Sequence, residues 1–199
     1  MKKIMMKTML ATVLLAGSIS GQAGSAHATA AKPTAAPIMR DNLSKFGLVK
    51  DVELPVTVTA GGLSYTLEKI MIFDAKSKDA QALAKQYGYD LDGDQYFIWT
   101  KITVENKGTT IIQRNFKDLK YKWRLNFGDL SKGEAFNIMP SKLVYTENSK
   151  SALWTWVLKP GEKLSTYQGY LYSGDINYFK LSVDYNGQFV SKYIVEPEA

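Results

Sequence analysis

The chain has 199 residues, with 25 Lys and Arg, 19 Asp and Glu, one His and no Cys. The lack of cysteine excludes disulfides, thiolate metal sites and the acylated cysteine that anchors a lipoprotein. The formal net charge of +6 is too small a basic excess to indicate a nucleic-acid-binding protein.

The first 28 residues have the pattern of a secretory signal peptide. Three lysines within the first seven residues precede a short apolar core, Met9 to Gly17, and Ala26-His27-Ala28 has the small-x-small form of a cleavage site. The apolar run is shorter than the roughly 20 residues that a membrane span needs. We therefore expect residues 1–28 to be removed and the mature protein to be secreted outside a bacterial cell, without a stable membrane anchor. Its net charge would then be +3, because three lysines and no acid leave.

Loss of the signal would also remove the only histidine, His27. A mature chain with neither His nor Cys cannot form a Ser-His-Asp triad, a Cys-His dyad or a His-ligated zinc site. No pair of carboxylates is marked by its spacing as a glycosidase pair, and no Ser-x-x-Lys motif lies in an apolar setting. The sequence therefore predicts a protein that is not an enzyme and has no nucleic-acid partner.

After the signal, small residues and prolines indicate a flexible lead-in over residues 29–50. Residues 51–199 are then predicted to form one domain. Its first two apolar-rich runs flank Gly61-Gly62, which predicts a tight hairpin. Pro55 near the start of the first run predicts a strand at a sheet edge, because proline has no N–H to donate.

A short helix is predicted over residues 76–87, a segment rich in Ala, Lys and Gln. Gly88 follows it at the position of a C-terminal cap. The apolar residues that recur there at helical spacing are Ala80, Leu83, Ala84 and Tyr87.

The rest of the chain has the alternation typical of half-buried strands. It is clear from Tyr96 to Glu105, and again from Leu119 to Phe127, where the apolar side chains are expected on one face. Later apolar runs are separated by turn residues, and Asn186-Gly187 between two alternating runs predicts a hairpin. Strands at this spacing, with almost no helix, indicate a β-sandwich or barrel.

Three segments, "YFIWTKITVENKGTT", "YKWRLNFGD" and "VLKPGEKLSTYQGYLY", resemble a family of secreted bacterial domains with a telokin-like, immunoglobulin-like sandwich. The turn signatures that carry the resemblance are Glu105 to Gly108 and Pro160 to Lys163. The resemblance implies a mainly β, immunoglobulin-like antiparallel β-sandwich with one short inserted helix. It implies no common reaction.

Asp90, Asp92 and Asp94 occupy the first, third and fifth positions of a calcium loop. The sixth position is Gln95 instead of glycine, and the twelfth is Lys101 instead of glutamate. The alternative is a polar connection in which Asp and Gly satisfy local backbone groups. The three aspartates are therefore candidate calcium ligands; otherwise no cofactor is expected.

Lys120, Lys122 and Arg124 form a predicted basic row on one strand face. An anionic cell-wall polymer could bind such a row, and the alternative is an ordinary solvated face or a protected edge. Trp154 and Trp156 also share a predicted face, where aromatic rings either stack on sugars or fill the core.

Together these features predict a secreted, non-catalytic β-sandwich module that acts by surface binding. Its partner would be an extracellular protein or a cell-wall polymer at the cell envelope. The alternative is a calcium-stabilised or carbohydrate-binding accessory domain.

Overall fold

The computed structural model describes residues 39–128 and 133–197, so the predicted signal peptide and His27 lie outside the described residues. A short 3-10 helix spans Leu43–Phe46, and helix α1 spans Lys78–Tyr87. The strands are β1 (Val56–Ala60), β2 (Leu63–Asp74), β3 (Tyr96–Asn106), β4 (Ile112–Arg114), β5 (Trp123–Asn126), β6 (Phe136–Asn137), β7 (Trp156–Leu158), β8 (Lys163–Tyr172), β9 (Phe179–Tyr185) and β10 (Gln188–Val195).

The strands form a five-stranded sheet in the order β1-β2-β3-β8-β6, a three-stranded sheet in the order β10-β9-β5, and a small pair, β4-β7. Every pairing is antiparallel. Each sheet has an apolar face whose exposure to water is unfavourable. Packing the two sheets face to face buries both apolar faces. The predicted mainly β, immunoglobulin-like antiparallel sandwich with one short inserted helix is confirmed.

The main core lies between the two sheets. Tyr65 of the first sheet contacts Trp123 of the second, with ring centroids 5.0 Å apart. Trp156 of β7 stacks on Trp123 at 5.3 Å, so the small pair closes one side of the core. Fully buried members from the two sheets include Leu63, Leu67, Ile98, Ile102, Val104, Leu125, Leu181 and Val183.

A β-bulge in strand β2 shifts the alternation of its side chains by one residue. Its pairing with β3 slips between Leu67 and Lys69, so that Glu68 is the extra residue. The inward-facing series Leu63, Tyr65, Leu67 therefore continues with Ile70 and Ile72. The bulge explains why the alternation in the sequence becomes irregular after Leu67.

Helix α1 covers the outer face of the five-stranded sheet and forms a second core. The Ser77 side chain accepts a hydrogen bond from the Ala80 N–H at the helix start, and Gly88 ends the helix in a left-handed conformation with φ of 75°. Beneath the helix, Trp99 stacks on Tyr87 at 5.5 Å. The inserted helix is thus confirmed. The half-buried interpretation of β3 is wrong for its first half, because Phe97 and Trp99 are buried on the face opposite the main core.

Both predicted hairpins are present. Gly61 and Gly62 have positive φ between β1 and β2, and Asn186 and Gly187 have positive φ between β9 and β10. The strand that follows Pro55 is an edge strand, as expected.

Residues 39–50, the part of the predicted lead-in that the structure describes, pack against the domain. Leu43 and Leu48 are buried in the main core. The Asn42 side chain bonds to both backbone groups of Ile72, at 2.7 Å to its oxygen and 2.9 Å from its nitrogen. The packed unit therefore begins earlier than composition suggested. No helix in the described ranges is long and apolar enough to cross a membrane.

Candidate binding surface

The three candidate calcium ligands lie in the connection between α1 and β3. The Asp90 Oδ1 accepts a hydrogen bond from the Asp92 N–H at 3.1 Å, and the Asp94 Oδ1 accepts one from the Ser173 hydroxyl at 3.0 Å. Asp92 and Asp94 line an open cleft of about 590 Å³ that also includes Asp74. Within residues 39–128 and 133–197, no three Asp, Glu, His or Cys side chains form a group that could hold a metal ion. The observed bonds match the polar connection, and the calcium site stays the alternative hypothesis.

The predicted basic row is not one continuous face. The Lys122 side chain is only 5% exposed, while Lys120 and Arg124 are exposed. Lys122 pairs with Asp118 at 3.0 Å, and Arg124 pairs with Glu134 at 2.9 Å. The row is therefore divided between a buried lysine that pairs with a partly exposed aspartate, an exposed pair, and Lys120, for which the described residues provide no ion-pair partner.

The apolar face expected from Leu119 to Phe127 is also shorter than predicted. Trp123, Leu125 and Phe127 are buried, but Leu119 and Tyr121 are exposed. Strand β5 begins only at Trp123. The residues before it belong to a loop, where alternation carries no information about burial.

Trp154 and Trp156, before and at the start of β7, also differ in burial. Trp156 is fully buried in the main core, as the packing interpretation expected. Trp154 is partly exposed and lies over the Arg114 guanidinium, whose central carbon is 3.9 Å from the ring centroid. Trp154 therefore lies at the border between core and surface.

A cluster of aromatic and apolar side chains is exposed around Arg114. We call it the aromatic–basic surface and define it as Arg114, Phe116, Lys117, Leu119, Lys120, Tyr121, Tyr145 and Trp154. The Tyr145 and Phe116 rings are in contact, with centroids 5.7 Å apart and planes 40° apart, and they are 86% and 54% exposed. Large exposed apolar side chains that lie together, as these two rings do, mark interaction surfaces in soluble proteins.

Arg114 lies at the centre of the aromatic–basic surface and is itself buried, at 3% exposure. Its Nη1 donates a hydrogen bond to the Trp154 carbonyl oxygen at 2.8 Å, and the Tyr121 ring lies over the guanidinium at 4.8 Å. Its Nε has no hydrogen-bond partner within the described residues. Burial lowers the pKa of Arg114, but a guanidinium stays charged at neutral pH. The cation–π contacts hold the two rings in fixed orientations.

Residues 114–122 contain a single acidic side chain, Asp118. Asp118 bonds to Lys122, and that bond lowers the pKa of the Asp118 carboxyl. Lys117 and Lys120 are exposed and have no ion-pair partner among the residues that the structure describes. The surface therefore carries an excess of positive charge beside its apolar side chains.

A tight turn positions the exposed tip. Asn115 and Asp118 exchange backbone hydrogen bonds of 3.0 and 3.1 Å, and the Asn115 Oδ1 also accepts from the Lys117 N–H at 2.9 Å. Phe116 and Lys117 lie between them at the turn tip. Because the turn satisfies its own backbone groups, its side chains are free to face solvent.

Sequence reasoning missed Arg114, Phe116 and Tyr145. A usable signal was present: in "NFKDLK" the Asn and Asp indicate a turn, and an apolar residue inside a turn has no strand face that would bury it. Arg114 gave no such signal, because its role depends on its contacts with the Tyr121 and Trp154 rings. The pairing of β4 with β7 places the segment that carries Trp154 beside Arg114, which sequence alone does not show.

Fold and surface together define a β-sandwich module with an exposed aromatic–basic surface.

No family model matches the chain, and no curated protein matches its sequence, so the telokin-like resemblance stays a prediction. The ycdA protein of Bacillus subtilis is similar in structure, with 13% identity and a TM-score of 0.45 over 72% of this chain; the match spans only 39% of that protein. An uncharacterised β-sandwich protein of Clostridium difficile has 15% identity and a TM-score of 0.40, over 73% of this chain and 93% of its own. A functionally unknown protein of Listeria monocytogenes has 8% identity and a TM-score of 0.41, over 71% of this chain and 81% of its own.

Proposed function

We propose that this protein is a secreted, non-catalytic β-sandwich module that binds through its aromatic–basic surface. The partner is a component of the cell envelope or another extracellular molecule. The observation that carries the proposal is the exposure of Phe116, Tyr121 and Tyr145 beside exposed lysines that have no ion-pair partner in the part of the chain that the structure describes. Exposing these rings to water is unfavourable, and contact with a partner would relieve that cost.

The packing of the surface also suits binding. The buried Arg114 guanidinium contacts the Tyr121 and Trp154 rings and restricts their orientation. Side chains that are already ordered lose little conformational entropy when a partner binds, so more of the contact energy appears as affinity. Aromatic and arginine side chains are also the residues that most often dominate binding energy at interfaces.

A binding assay with cell envelopes tests the proposal. We expect the mature protein to bind a bacterial envelope preparation, and a Phe116→Ser, Tyr145→Ser double variant to bind at least about tenfold more weakly. The matched control is Phe189→Ser with Val190→Ser, which removes two exposed apolar residues from the far hairpin strand β10. Equal loss in both double variants, or no binding by the wild type, would contradict the proposal.

Carbohydrate binding is the second candidate, because Tyr145 and Phe116 present exposed ring faces on which a sugar could stack. Soluble wall glycans would then compete with the envelope for the protein. Competition that persists in the Phe116→Ser, Tyr145→Ser variant would argue against this candidate.

A further inference from the structure

The turn segment of the aromatic–basic surface, residues 116–120, combines two apolar and two cationic side chains with one acidic side chain, Asp118. Phe116 and Leu119 are exposed, and Lys117 and Lys120 lie exposed beside them. Neither Phe116 nor Leu119 has a polar side-chain atom, so neither side chain can form a hydrogen bond with water or with a polar ligand. Such side chains are stabilised by entry into an apolar medium.

The aromatic residues around the tip suit the boundary between water and hydrocarbon. Tyr121 and Tyr145 each combine an apolar ring with a polar hydroxyl, and tyrosine is enriched where a bilayer meets water. Phe116 and Leu119, which have no polar side-chain atom, would enter the acyl boundary, while the tyrosine hydroxyls would stay at the level of the lipid headgroups.

The charge of the segment is complementary to an anionic membrane. Residues 114–122 contain four Lys and Arg and one Asp, a net charge of +3. This nine-residue segment therefore carries as much net charge as is expected for the whole mature chain. The buried Arg114, which has no ion pair with a carboxylate among the described residues, adds to the positive potential at the surface. Each Lys or Arg close to an anionic leaflet favours binding.

The geometry is less suited to a stacked polysaccharide. The Phe116 and Tyr145 planes differ by 40°, so the two rings do not form one flat platform for successive sugars. The aliphatic Leu119 at the tip has no sugar face to stack on and no group that bonds to a hydroxyl.

We infer that the aromatic–basic surface docks reversibly on an anionic phospholipid bilayer, with Phe116 and Leu119 at the acyl boundary and Lys117 and Lys120 on the lipid phosphates. This inference rests on the proposed function and names the partner of the same surface. Docking of this kind places a secreted protein on the outer surface of the cell membrane without a membrane-spanning segment.

Vesicle co-sedimentation tests the inference. The mature protein is mixed with vesicles of phosphatidylglycerol and phosphatidylcholine, or of phosphatidylcholine alone. We expect binding to the anionic vesicles to be at least about tenfold stronger and to weaken as ionic strength rises. Free phosphate or glycerol phosphate at matched concentration should not displace the protein, because neither offers an acyl boundary.

Two pairs of variants separate the apolar and the electrostatic contributions. Phe116→Ser with Leu119→Ser, and Lys117→Glu with Lys120→Glu, should each weaken binding to anionic vesicles at least about tenfold. The control is Phe189→Ser with Lys192→Glu on β10, which changes one exposed apolar and one exposed cationic residue away from the surface. The control should bind as the wild type does, and circular dichroism checks that every variant is folded.

The outcomes distinguish this inference from the proposed function. Absence of vesicle binding, together with envelope binding that still depends on Phe116 and Tyr145, overturns the bilayer and leaves a wall polymer or a protein as partner. Absence of binding to both vesicles and envelopes overturns both statements. Equal binding to anionic and neutral vesicles, or an equal loss in the control, also overturns the inference.

Discussion

At the scale of single residues, the buried amide of Gln168 connects two aromatic side chains across the main core. Its Oε1 accepts hydrogen bonds from the Trp123 Nε1 at 2.8 Å and from the Tyr170 hydroxyl at 2.6 Å. Burial raises the pKa of Tyr170, so its hydroxyl remains a donor at neutral pH. A buried donor that loses its acceptor costs more than the bond itself contributed.

Gln168→Met should therefore destabilise the fold by about 1–3 kcal/mol. Methionine has a similar volume but removes the oxygen that accepts from the Tyr170 hydroxyl, and it leaves the Trp123 Nε1 only its 3.1 Å bond to that hydroxyl. Urea unfolding followed by tryptophan fluorescence measures the change. Gln113→Met, at an exposed position of β4, is the control and should change the free energy of unfolding by less than about 0.5 kcal/mol. Equal midpoints for the two variants would show that the network contributes no stability.

The Asp118–Lys122 pair makes stability depend on pH in a defined direction. The hydrogen bond from Lys122 lowers the pKa of Asp118 in the folded state. The stabilisation is therefore fully present above the unfolded pKa, about 3.9, and is lost as pH falls through the lower folded value. Asp118 is 39% exposed, so solvent reduces the contribution of the pair.

Asp118→Asn should lower the free energy of unfolding by about 1 kcal/mol at neutral pH, since it leaves a buried lysine without its partner. The difference from the wild type should shrink as pH falls below about 4. Thermal unfolding over a pH series measures it. Asp184→Asn, at an exposed position of β9, removes the same charge and is the control. A difference that does not change with pH would contradict the assignment.

At the scale of elements, helix α1 supplies the outer half of the second core. Its buried side chains, Leu83 among them, cover Trp99 on the outer face of β3. The Ser77 cap satisfies one of the free backbone N–H groups at the helix start.

Ser77→Ala should cost about 1 kcal/mol, because the Ala80 N–H loses its acceptor. We expect the melting temperature to fall by about 2–4 °C. Lys78→Ala is the control, because it replaces one good helix former with another at an exposed position. A larger effect of the control than of Ser77→Ala would show that the cap is not the main stabiliser of the helix start.

The elements that could be predicted are those with a long periodic signal or a specific turn. The helix, both hairpins and the long strands β2, β3, β8, β9 and β10 belong to this group. β6 has only two residues and β4 only three, too short for alternation to be distinguished from chance. The alternation from Leu119 to Phe127 predicted burial correctly from Trp123 onward but not for Leu119 and Tyr121, because side chains in the loop before β5 do not follow the period of a strand.

At the scale of the whole molecule, the sandwich has two cores, and only one was predicted. The sequence shows that β3 is apolar, but whether its second face meets water or a helix depends on where α1 packs. The aromatic–basic surface is likewise formed from segments distant in sequence, residues 114–122 and Tyr145 with Trp154, which only the fold brings together.

Thermal unfolding with and without calcium tests whether the connection between α1 and β3 binds a metal ion. We expect equal melting temperatures in excess calcium and in EDTA. The Asp90 and Asp94 carboxylates already accept hydrogen bonds from the Asp92 N–H and the Ser173 hydroxyl, and among the described residues no three acidic side chains are grouped to hold a metal ion. Thermal unfolding by circular dichroism measures this. An increase of several degrees with calcium would show that the loop rearranges into a metal site.

Hydrogen–deuterium exchange on cell envelopes tests most directly whether the protein binds through the aromatic–basic surface. We predict that exchange slows in residues 114–122 and around Tyr145 and Trp154, while the β9–β10 hairpin at Asn186-Gly187 exchanges as in the free protein. Slowed exchange confined to that hairpin, or bound protein with no change in residues 114–122, would contradict the assignment.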